Sequence, residues 1–235
     1  MVKVAIAGGT GHLGRFLVDG ILAVQKHELI VLSRSPSPAL EKLGVKVVVV
    51  SYGDPSSLEA ALKGVHTLIS TISLPEGNAL VAVHLALLDA AKRAGVRRFI
   101  PPEFGVQGVP NDPIEFFRFK AKISQAVRES GLEYTLFQNG YFMNYLAAGT
   151  KGMGYFTGSR FVVDVQNHTA TLPGDGTSSL VYTRVEDIAA FVAALLDLSE
   201  WPETSQVIGD LMTWNDLVAL AESIRGACVC VCRWQ

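Results

Sequence analysis

The feature that constrains the fold most is a glycine-rich turn that directly follows the first apolar run. Residues 2–7 read Val-Lys-Val-Ala-Ile-Ala, which is typical of a buried parallel strand. Glycines follow at positions 8, 11 and 14 and lead into an amphipathic helix. In such a turn Gly8 permits the tight bend, Gly11 lets the backbone approach a diphosphate, and Gly14 lets the helix pack closely on the strand. The segment therefore predicts the start of a dinucleotide-binding βαβ unit.

Strand and helix signals then alternate six times up to residue 138. Short apolar runs such as Val45–Val50 are typical of strands, and amphipathic stretches with capping residues follow them. Asp54 and Pro55, for example, combine an N-cap residue with proline at the first helical position. The sixth predicted strand covers Glu133–Gln138. This alternation predicts an α/β fold, a doubly wound parallel Rossmann sheet with helices on both faces and right-handed crossovers.

The pattern changes after Asn139, where glycine and aromatic residues are frequent over 140–158. The next extended segments and helices are predicted over Phe161–Leu172, Ser179–Tyr182, Val185–Leu196 and Thr213–Arg225, the last with Thr213 as its N-cap. We therefore expect two parts. An NADP-binding Rossmann domain covers 1–140, and a smaller substrate-binding region, interleaved with the main sheet, covers 141–235.

Charge and composition argue against several classes of function. The net charge is −2 and 18% of the residues are charged, whereas nucleic-acid binders usually present a strongly basic face. The longest apolar stretch, Ala79–Ala91, contains His84 and Asp89 and is too short to span a bilayer. No secretion signal is visible before the first strand. We therefore expect a cytoplasmic protein that binds neither nucleic acid nor membranes.

All three cysteines lie within the last eight residues, at positions 228, 230 and 232. The Cys-x-Cys-x-Cys spacing can indicate metal binding. However, a structural zinc site needs four ligands, and no cluster of histidines or carboxylates accompanies these thiols in the sequence. No metal site is predicted.

The amino-terminal end of the first helix is the predicted phosphate site. Free N–H groups and the positive end of the helix dipole favour an anion there. The predicted cofactor contacts in this turn are Gly8, Thr10, Gly11, His12, Leu13 and Gly14. Two interpretations of His12 stay open: it approaches a phosphate, or it is a solvated loop histidine.

The end of the second strand indicates which nicotinamide cofactor is bound. An NAD site usually has aspartate or glutamate there, but the sequence reads Val-Leu-Ser-Arg-Ser over 31–35. Arg34 can pair bidentately with a 2′-phosphate, and Ser33 and Ser35 can add hydroxyl donors. NADPH is therefore the predicted cofactor, with a solvated loop arginine as the alternative interpretation of Arg34.

Another strand end and one helix supply further candidates. Thr71 follows the fourth strand, where the carboxyl ends of parallel strands line a ligand crevice, although a plain exit into a loop is the alternative. Lys120 lies in the helix predicted over Phe116–Ser130. A short-chain dehydrogenase commonly has tyrosine four residues before its lysine, and here that position is Phe116. The common tyrosine acid–base mechanism is therefore disfavoured.

Taken together, these motifs resemble one family. The turn Gly-Gly-Thr-Gly-His-Leu-Gly, Arg34, Pro-Pro-Glu-Phe-Gly at 101–105, Lys120 and Gln-Asn-Gly-Tyr-Phe at 138–142 occur in the order found in NmrA-like, isoflavone-reductase-like proteins. These proteins are atypical short-chain dehydrogenases, and the resemblance covers roughly residues 2 to 225. It implies hydride transfer from NADPH to a small aromatic substrate of the isoflavone or phenylpropanoid kind.

The resemblance also implies roles for particular residues. Lys120 is the expected catalytic residue beside the nicotinamide, with Lys122 as the alternative. An ammonium there stabilises negative charge or, if burial lowers its pKa, acts as acid or base. The residues expected to line the nicotinamide pocket are Phe104, Asn139 and Gly140. Phe142 and Tyr145 are expected to pack against the substrate or in the core.

The sequence departs from the family at three places. Pro102 stands where serine is usual, which removes one hydroxyl. His66 stands where aspartate is usual, at a position that we interpret as structural. Family members also continue further, whereas this chain ends in the cysteine-containing segment after Gly226. We expect a truncated or wrongly spliced carboxyl-terminal region, so that cofactor binding survives while turnover is impaired.

Two other functions fit parts of the sequence. Some members of the family bind dinucleotides without catalysis and regulate transcription through partner proteins. A non-catalytic redox sensor with a regulatory protein partner is therefore the alternative to a reductase that binds a small-molecule substrate. A sugar-nucleotide epimerase is disfavoured because its usual Tyr-x-x-x-Lys is absent.

Overall fold

The structure is a computed structural model that describes residues 1–157 and 162–234. Strands and helices alternate through the first half, as the sequence predicts. The elements there are β1 (Lys3–Ala7), α1 (His12–Val24), β2 (Glu28–Ser33), α2 (Pro38–Glu41), β3 (Lys46–Val49), α3 (Pro55–Leu62), β4 (Thr67–Ser70), α4 (Gly77–Arg93), β5 (Arg98–Ile100), α5 (Glu115–Arg128) and β6 (Glu133–Tyr134).

These six strands form one parallel sheet in the order β3-β2-β1-β4-β5-β6. This is the strand order of the doubly wound dinucleotide-binding fold, and the predicted fold class is confirmed. The chain moves outward from β1 to β3 and then crosses back to β4 on the other side of β1. The carboxyl ends of β1 and β4 therefore border the crevice where such sheets bind ligands.

Helices cover both faces of this sheet, as a parallel sheet requires. On one face, residues such as Ala5 and Leu68 pack in a core with α3, α4 and α5. On the other face, Ile6 packs in a core with α1 and with Ile188 of α6 (Val185–Leu195). A helix from the second half of the chain therefore completes the packing of the first half.

The strand predicted over Glu133–Gln138 is divided in the structure. Its first two residues, in β6, pair with β5, whereas β7 (Leu136–Gln138) pairs in parallel with β12 (Thr204–Gln206). Between them Thr135 is fully buried, and its hydroxyl lies 2.8 Å from Oγ of Ser205. The second part of the predicted strand therefore pairs with β12, a distant segment of the chain, and not with the main sheet.

Besides the pair β7 and β12, the described residues of the second half form two three-stranded sheets, β14-β10-β9 and β13-β11-β8. Its remaining elements are β8 (Tyr141–Phe142), two 3-10 helices (Met143–Ala147 and Lys151–Met153), β9 (Val163–Asp164), β10 (Thr169–Pro173), β11 (Ser179–Thr183), β13 (Asp210–Thr213), α7 (Trp214–Arg225) and β14 (Cys230–Trp234). Phe161, where the extended region is predicted to begin, lies outside the described residues. Thr213 and Asp216 form a capping box at α7, so the predicted N-cap is confirmed.

The cysteine-containing segment forms the edge strand β14, which pairs in parallel with β10 and which the sequence does not predict. All three cysteines are free and exposed. Among the described residues, no group of three or more histidine, cysteine or acidic side chains is arranged to hold a metal ion. In the same part of the chain, no helix is both long enough and apolar enough to cross a membrane.

Candidate functional site

A cleft of about 660 Å³ opens at the carboxyl ends of the central strands, a size typical of small-molecule sites. Its lining from the sheet and the following turns comprises Gly8, Thr10, Gly11, His12, Leu13, Leu32, Ser33, Arg34, Ser35, Tyr52, Thr71, Ile72, Ser73 and Leu74. The remaining lining comprises Leu80, Val83, Pro102, Phe104, Phe116, Lys120, Phe142, Tyr145 and Phe156. Most of the predicted cofactor residues therefore share one cleft.

The glycine turn brings backbone, rather than side chains, to one end of this cleft. Gly8 has a φ of +86°, and a Cβ there would lie 2.9 Å from Oγ1 of Thr71. A Cβ on Gly14 would lie 2.2 Å from the carbonyl oxygen of Gly8. Such close approaches require glycine. Gly14 is not part of the cleft lining; it lies behind the turn and lets α1 pack against it.

The amino-terminal end of α1 has the properties of an anion site. Its N-cap is Gly11, which has no side chain to cap the helix, and the first turn contains no acidic residue. The first N–H groups of a helix have no acceptor within the helix, and the helix dipole adds positive potential at this end. The turn that the sequence predicts as the phosphate site therefore fits a diphosphate in backbone shape and in charge.

The Arg34 end of the cleft contains one residue that the sequence analysis missed. Arg34 and Ser35 are exposed lining residues, and the N–H of Ser35 donates to Oγ of Ser33 over 3.3 Å. Tyr52, three residues after β3, lines the same cleft, and its hydroxyl donates to the carbonyl of Leu32 over 3.1 Å. Burial raises the pKa of Tyr52 to about 12. The position after a parallel strand next to β2 is the sequence signal that points to it.

The fully charged side chains among the described lining residues are all cationic. Arg34 and Lys120 belong to it, and among the described lining residues there is no aspartate or glutamate. Two cations, a positive helix end and no carboxylate favour an anionic ligand. A cofactor with phosphate groups at one end matches this distribution better than a cationic or neutral ligand does.

Lys120 reaches the cleft from α5, and only 3% of it is exposed. Its Nζ donates to the carbonyl oxygens of Glu103 over 3.0 Å and of Val106 over 3.1 Å, and more weakly to that of Phe104 over 3.5 Å. Burial lowers the pKa of Lys120, and the Glu103 carboxylate opposes this shift. A lysine with a lowered pKa is suited to acid–base work nearer to neutral pH.

The two other positions considered around this lysine have different surroundings. Lys122, the alternative to Lys120, is exposed and is not part of the lining; its Nζ lies 5.2 Å from the ring centroid of Phe119. Phe116, at the usual tyrosine position of dehydrogenases, does line the cleft, with its ring centroid 6.0 Å from Nζ of Lys120. No phenol hydroxyl is available from that position.

Asn139 and Gly140, which the resemblance predicts to line the nicotinamide pocket, do not belong to the described lining of this cleft. Asn139 is 1% exposed, and its Oδ1 accepts from the N–H of Gly105 over 2.9 Å. Gly140 has a φ of +66°, and a Cβ there would lie 2.2 Å from the carbonyl oxygen of Val181. Both residues are occupied in packing behind the loop that contains Phe104, so they affect the cleft through its shape.

Aromatic rings from the second half form one wall of the cleft. The ring of Phe156 lies 5.4 Å from that of Phe142 and 4.6 Å from that of Tyr145, between centroids. It also meets the His12 ring at 6.0 Å, and Nε2 of His12 lies 3.0 Å from Oγ1 of Thr157. Sequence reasoning missed Phe156, because no local pattern relates it to the glycine turn. Burial raises the pKa of Tyr145, so its hydroxyl keeps its proton at neutral pH.

Residues at the ends of β4 and β5 occupy different places relative to the cleft. Thr71 lines the cleft and donates through Oγ1 to the carbonyl of Ala7 over 3.2 Å, which ties the exits of β1 and β4 together. Pro102 also lines the cleft, so the missing serine hydroxyl falls inside it. His66 lies at the opposite end of β4, with Nδ1 2.8 Å from Oγ1 of Thr67.

Comparisons with known proteins agree with this geometry. A model of the NmrA-like family matches residues 2–229. Oxidoreductase BOA1 of Botryotinia fuckeliana is 36% identical over 231 residues, which cover 96% of this chain and 77% of that protein. Bifunctional pinoresinol-lariciresinol reductase 2 of Linum usitatissimum is 32% identical over 212 residues, which cover 83% of this chain and 62% of that protein.

The fold comparison gives the same result. A solved structure of AtPrR2 with NADP+ and (+)pinoresinol aligns with a TM-score of 0.76 at 27% identity, covering 99% of this chain and 78% of that one. The predicted resemblance, the predicted fold and the predicted oxidoreductase class are confirmed. The chain therefore belongs to the NmrA-like family and is an oxidoreductase.

Proposed function

We propose that the chain is an NADPH-dependent reductase that transfers hydride to a small aromatic substrate. The observation that carries this proposal is the cleft that joins the glycine turn to Lys120, with two cations and no described carboxylate in its lining. AtPrR2, whose structure contains NADP+ and (+)pinoresinol, supports it as a relative of similar fold. The predicted division into a cofactor domain over 1–140 and a substrate region over 141–235 belongs to the same proposal.

Different parts of the lining would hold different parts of NADPH. The backbone of the turn at Thr10, Gly11 and His12 would receive the diphosphate, because its N–H groups and helix dipole favour an anion. Arg34 would pair with the 2′-phosphate, with Ser35 beside it. When bound, NADPH supplies the hydride and its two electrons. We keep a cytoplasmic location as a prediction.

Lys120 would provide the charge and the proton at the other end of the cleft. Its ammonium is held by two strong hydrogen bonds and one long one, to the carbonyl of Phe104. The hydrogen on the 3.5 Å contact is the one most easily redirected, because a hydrogen bond of that length is weak. Lys120 would turn this hydrogen toward an oxygen of the substrate that gains negative charge during reduction, and would donate the proton to it.

The aromatic wall would select the substrate and remove solvent from around it. Phe142, Tyr145 and Phe156 present rings to the cleft, and aromatic pairs prefer offset or edge-to-face contacts with other rings. These rings would also keep water away from a substrate packed against them, which would strengthen the charge interactions between that substrate and Lys120. Tyr145 keeps its proton, so its hydroxyl can donate a hydrogen bond to an oxygen of the substrate.

The second candidate is a non-catalytic sensor that binds the dinucleotide and a regulatory protein partner. One observation favours it: all three hydrogens of the Lys120 ammonium are directed at backbone carbonyls, so the group is satisfied without a substrate. A sensor would bind NADPH and turn over none of the substrates, whereas a reductase would oxidise NADPH in the presence of a suitable aromatic substrate.

The deciding experiment compares Lys120→Met with Lys122→Met. Methionine keeps most of the length of lysine but removes the charge, and Lys122 offers the same change at an exposed position two residues away. NADPH oxidation is followed with a panel of isoflavones and lignans, and NADPH binding is followed by nicotinamide fluorescence. We expect Lys120→Met to lower kcat at least about 100-fold and to leave NADPH affinity within a few-fold of the parent. Lys122→Met should behave like the parent.

Two results would contradict the proposal. Full turnover in a folded Lys120→Met protein would remove the lysine from the mechanism. If the parent bound NADPH but oxidised it with no substrate of the panel, the sensor would be favoured.

A further inference from the structure

The loop from Glu103 to Gly108 encloses the ammonium group of Lys120. Two of its carbonyls, at Glu103 and Val106, accept short hydrogen bonds from Nζ. Carbonyl oxygens can hold an ammonium at a fixed point only if the loop itself is rigid. The position of the lysine therefore depends on what fixes this loop.

The Glu103 side chain fastens the loop at both ends. It is 1% exposed, and its Oε1 accepts from the N–H of Gly108 over 2.9 Å. Its Oε2 accepts from the hydroxyl of Ser124 over 2.8 Å. Ser124 lies four residues after Lys120 in α5 and therefore on the same face of the helix. One carboxylate thus connects the start of the loop, its end and the helix that carries the lysine.

The packing around Gly108 shows how closely the loop approaches α5. A Cβ on Gly108 would lie 2.2 Å from the carbonyl oxygen of Phe117 and 3.1 Å from Cβ of Lys120. The middle of the loop is held separately by Asn139, which accepts from the N–H of Gly105. The loop therefore has little freedom while the Glu103 carboxylate keeps its two hydrogen bonds.

The described groups that surround Lys120 come from the loop, from α5 and from the lining of the cleft. The loop supplies the Glu103 carboxylate, while α5 supplies the ring of Phe117, whose centroid lies 5.7 Å from Nζ, and the ring of Phe116. The titratable and charged groups that share the cleft lining with Lys120 are His12, Arg34, Tyr52 and Tyr145. Glu103 is the charged partner that favours the ammonium form against the effect of burial.

We propose that Glu103 is the positioning residue for Lys120: its buried carboxylate holds the loop whose carbonyls receive the ammonium. The same carboxylate places a negative charge at this loop, opposite in sign to the ammonium. This inference rests on the proposed function for its link to turnover. Its geometric part, however, concerns residues of this chain alone. It can therefore be tested whether or not the protein reduces a substrate.

The test compares Glu103→Gln with Glu129→Gln. Glutamine keeps the shape of the carboxylate, and its amide can still accept from Gly108 and donate to the Ser124 hydroxyl. Glu129 is exposed at the other end of α5, so the control removes the same charge at a distance. Each protein is acetylated with trace acetic anhydride over a pH series. Mass spectrometry then gives the labelling of Lys120, with Lys122 as the internal reference.

We expect the pH midpoint of Lys120 labelling to fall in Glu103→Gln, because the ammonium loses its opposing charge. The midpoint should stay in place in Glu129→Gln, and that of Lys122 should stay in place in both. With an active parent, Glu103→Gln should lower kcat about tenfold or more while NADPH affinity and KM stay within about twofold. In the pH profile of kcat, the midpoint of the limb that reports the titration of Lys120 should shift in the same direction.

An unchanged Lys120 midpoint in a folded Glu103→Gln protein would overturn the proposal, as would an equal shift in Glu129→Gln. If Glu103→Gln does not fold, Ser124→Ala replaces it, because it removes one of the two donors and keeps the charge. In Ser124→Ala, Lys120 should be labelled faster than in the parent at pH values above its midpoint, whereas the labelling of Lys122 should not change. Equal labelling of Lys120 in the two proteins would overturn the proposal. A parent without turnover would contradict the proposed function and leave the labelling result valid.

Discussion

The hydroxyl of Ser70 lies 2.8 Å from Nε2 of His84, and both side chains are sealed in the core directly behind the cleft. Nδ1 of His84 lies 2.7 Å from the carbonyl oxygen of Leu80. Since a carbonyl only accepts, Nδ1 carries the proton, and Ser70 donates to a neutral imidazole. The pair ties the end of β4, next to Thr71, to α4.

This neutral histidine predicts a loss of stability in mild acid. Burial lowers the pKa of His84 to about 4, and the Leu80 carbonyl opposes this, whereas the unfolded histidine has a pKa near 6.5. Below about pH 6.5 the unfolded chain therefore takes up a proton that the folded chain does not. The free energy of unfolding should fall by about 2 kcal/mol between pH 7 and pH 5 from this residue alone.

Urea unfolding of the parent and of His84→Gln at the two pH values measures this contribution. The free energy of unfolding of His84→Gln should fall less between pH 7 and pH 5 than that of the parent, by about 2 kcal/mol. The other titrating groups are common to both proteins, so their contributions cancel in the difference. His66→Gln, a partly buried histidine at the other end of β4, is the matched control and should change the decline much less. Equal declines in the parent and His84→Gln would mean that His84 is protonated in the folded state.

Arg34 should determine the preference for the phosphorylated cofactor. We expect Arg34→Ala to weaken NADPH binding about tenfold or more and to leave NADH binding nearly unchanged, because a charge-assisted pair with a phosphate contributes on the order of 1.5–3 kcal/mol. Fluorescence titrations with each cofactor test this. Arg97→Ala, an exposed arginine near the opposite edge of the sheet, is the control. Equal affinities of the parent for NADPH and NADH would overturn the assignment.

Gly14 should be intolerant of any side chain. A methyl group there would overlap the carbonyl of Gly8, 2.2 Å away, so Gly14→Ala must displace the turn or the helix. We expect a loss of about 1–3 kcal/mol of stability together with loss of cofactor binding. Gly53→Ala is the matched control because nothing lies within 4 Å of a Cβ at that position. Thermal melting and NADPH titration of both variants decide the matter; a fully binding Gly14→Ala protein would contradict this account of the turn.

Much of the fold could be predicted because its signals are local. Asp54 is an N-cap residue in the structure as in the sequence, and its carboxylate accepts from the N–H of Ser56 over 2.9 Å. The glycine turn likewise depends on three positions within seven residues. Period, caps and turn residues lie close together in the chain, so one sequence is enough to recognise them.

The parts that could not be predicted depend on contacts between distant residues. The division of the sixth strand at Thr135 follows from a bond to Ser205, and the aromatic wall follows from Phe156 meeting His12. The periodicity of one segment does not indicate which distant segment it will contact. Lys120 and Lys122 are both lysines near the start of one helix, and only the packing of α5 buries the first and exposes the second.

The place of α6 beside α1 has a consequence for how the protein matures. A nascent chain that has emerged only as far as residue 140 possesses every strand of the nucleotide sheet but lacks the helix that shields one side of it. Apolar surface left in water there costs roughly 25 cal/mol for each Å². We expect that fragment to bind a dinucleotide weakly. By the same coupling, a ligand seated at the turn should protect amide hydrogens of α6 from exchange with solvent.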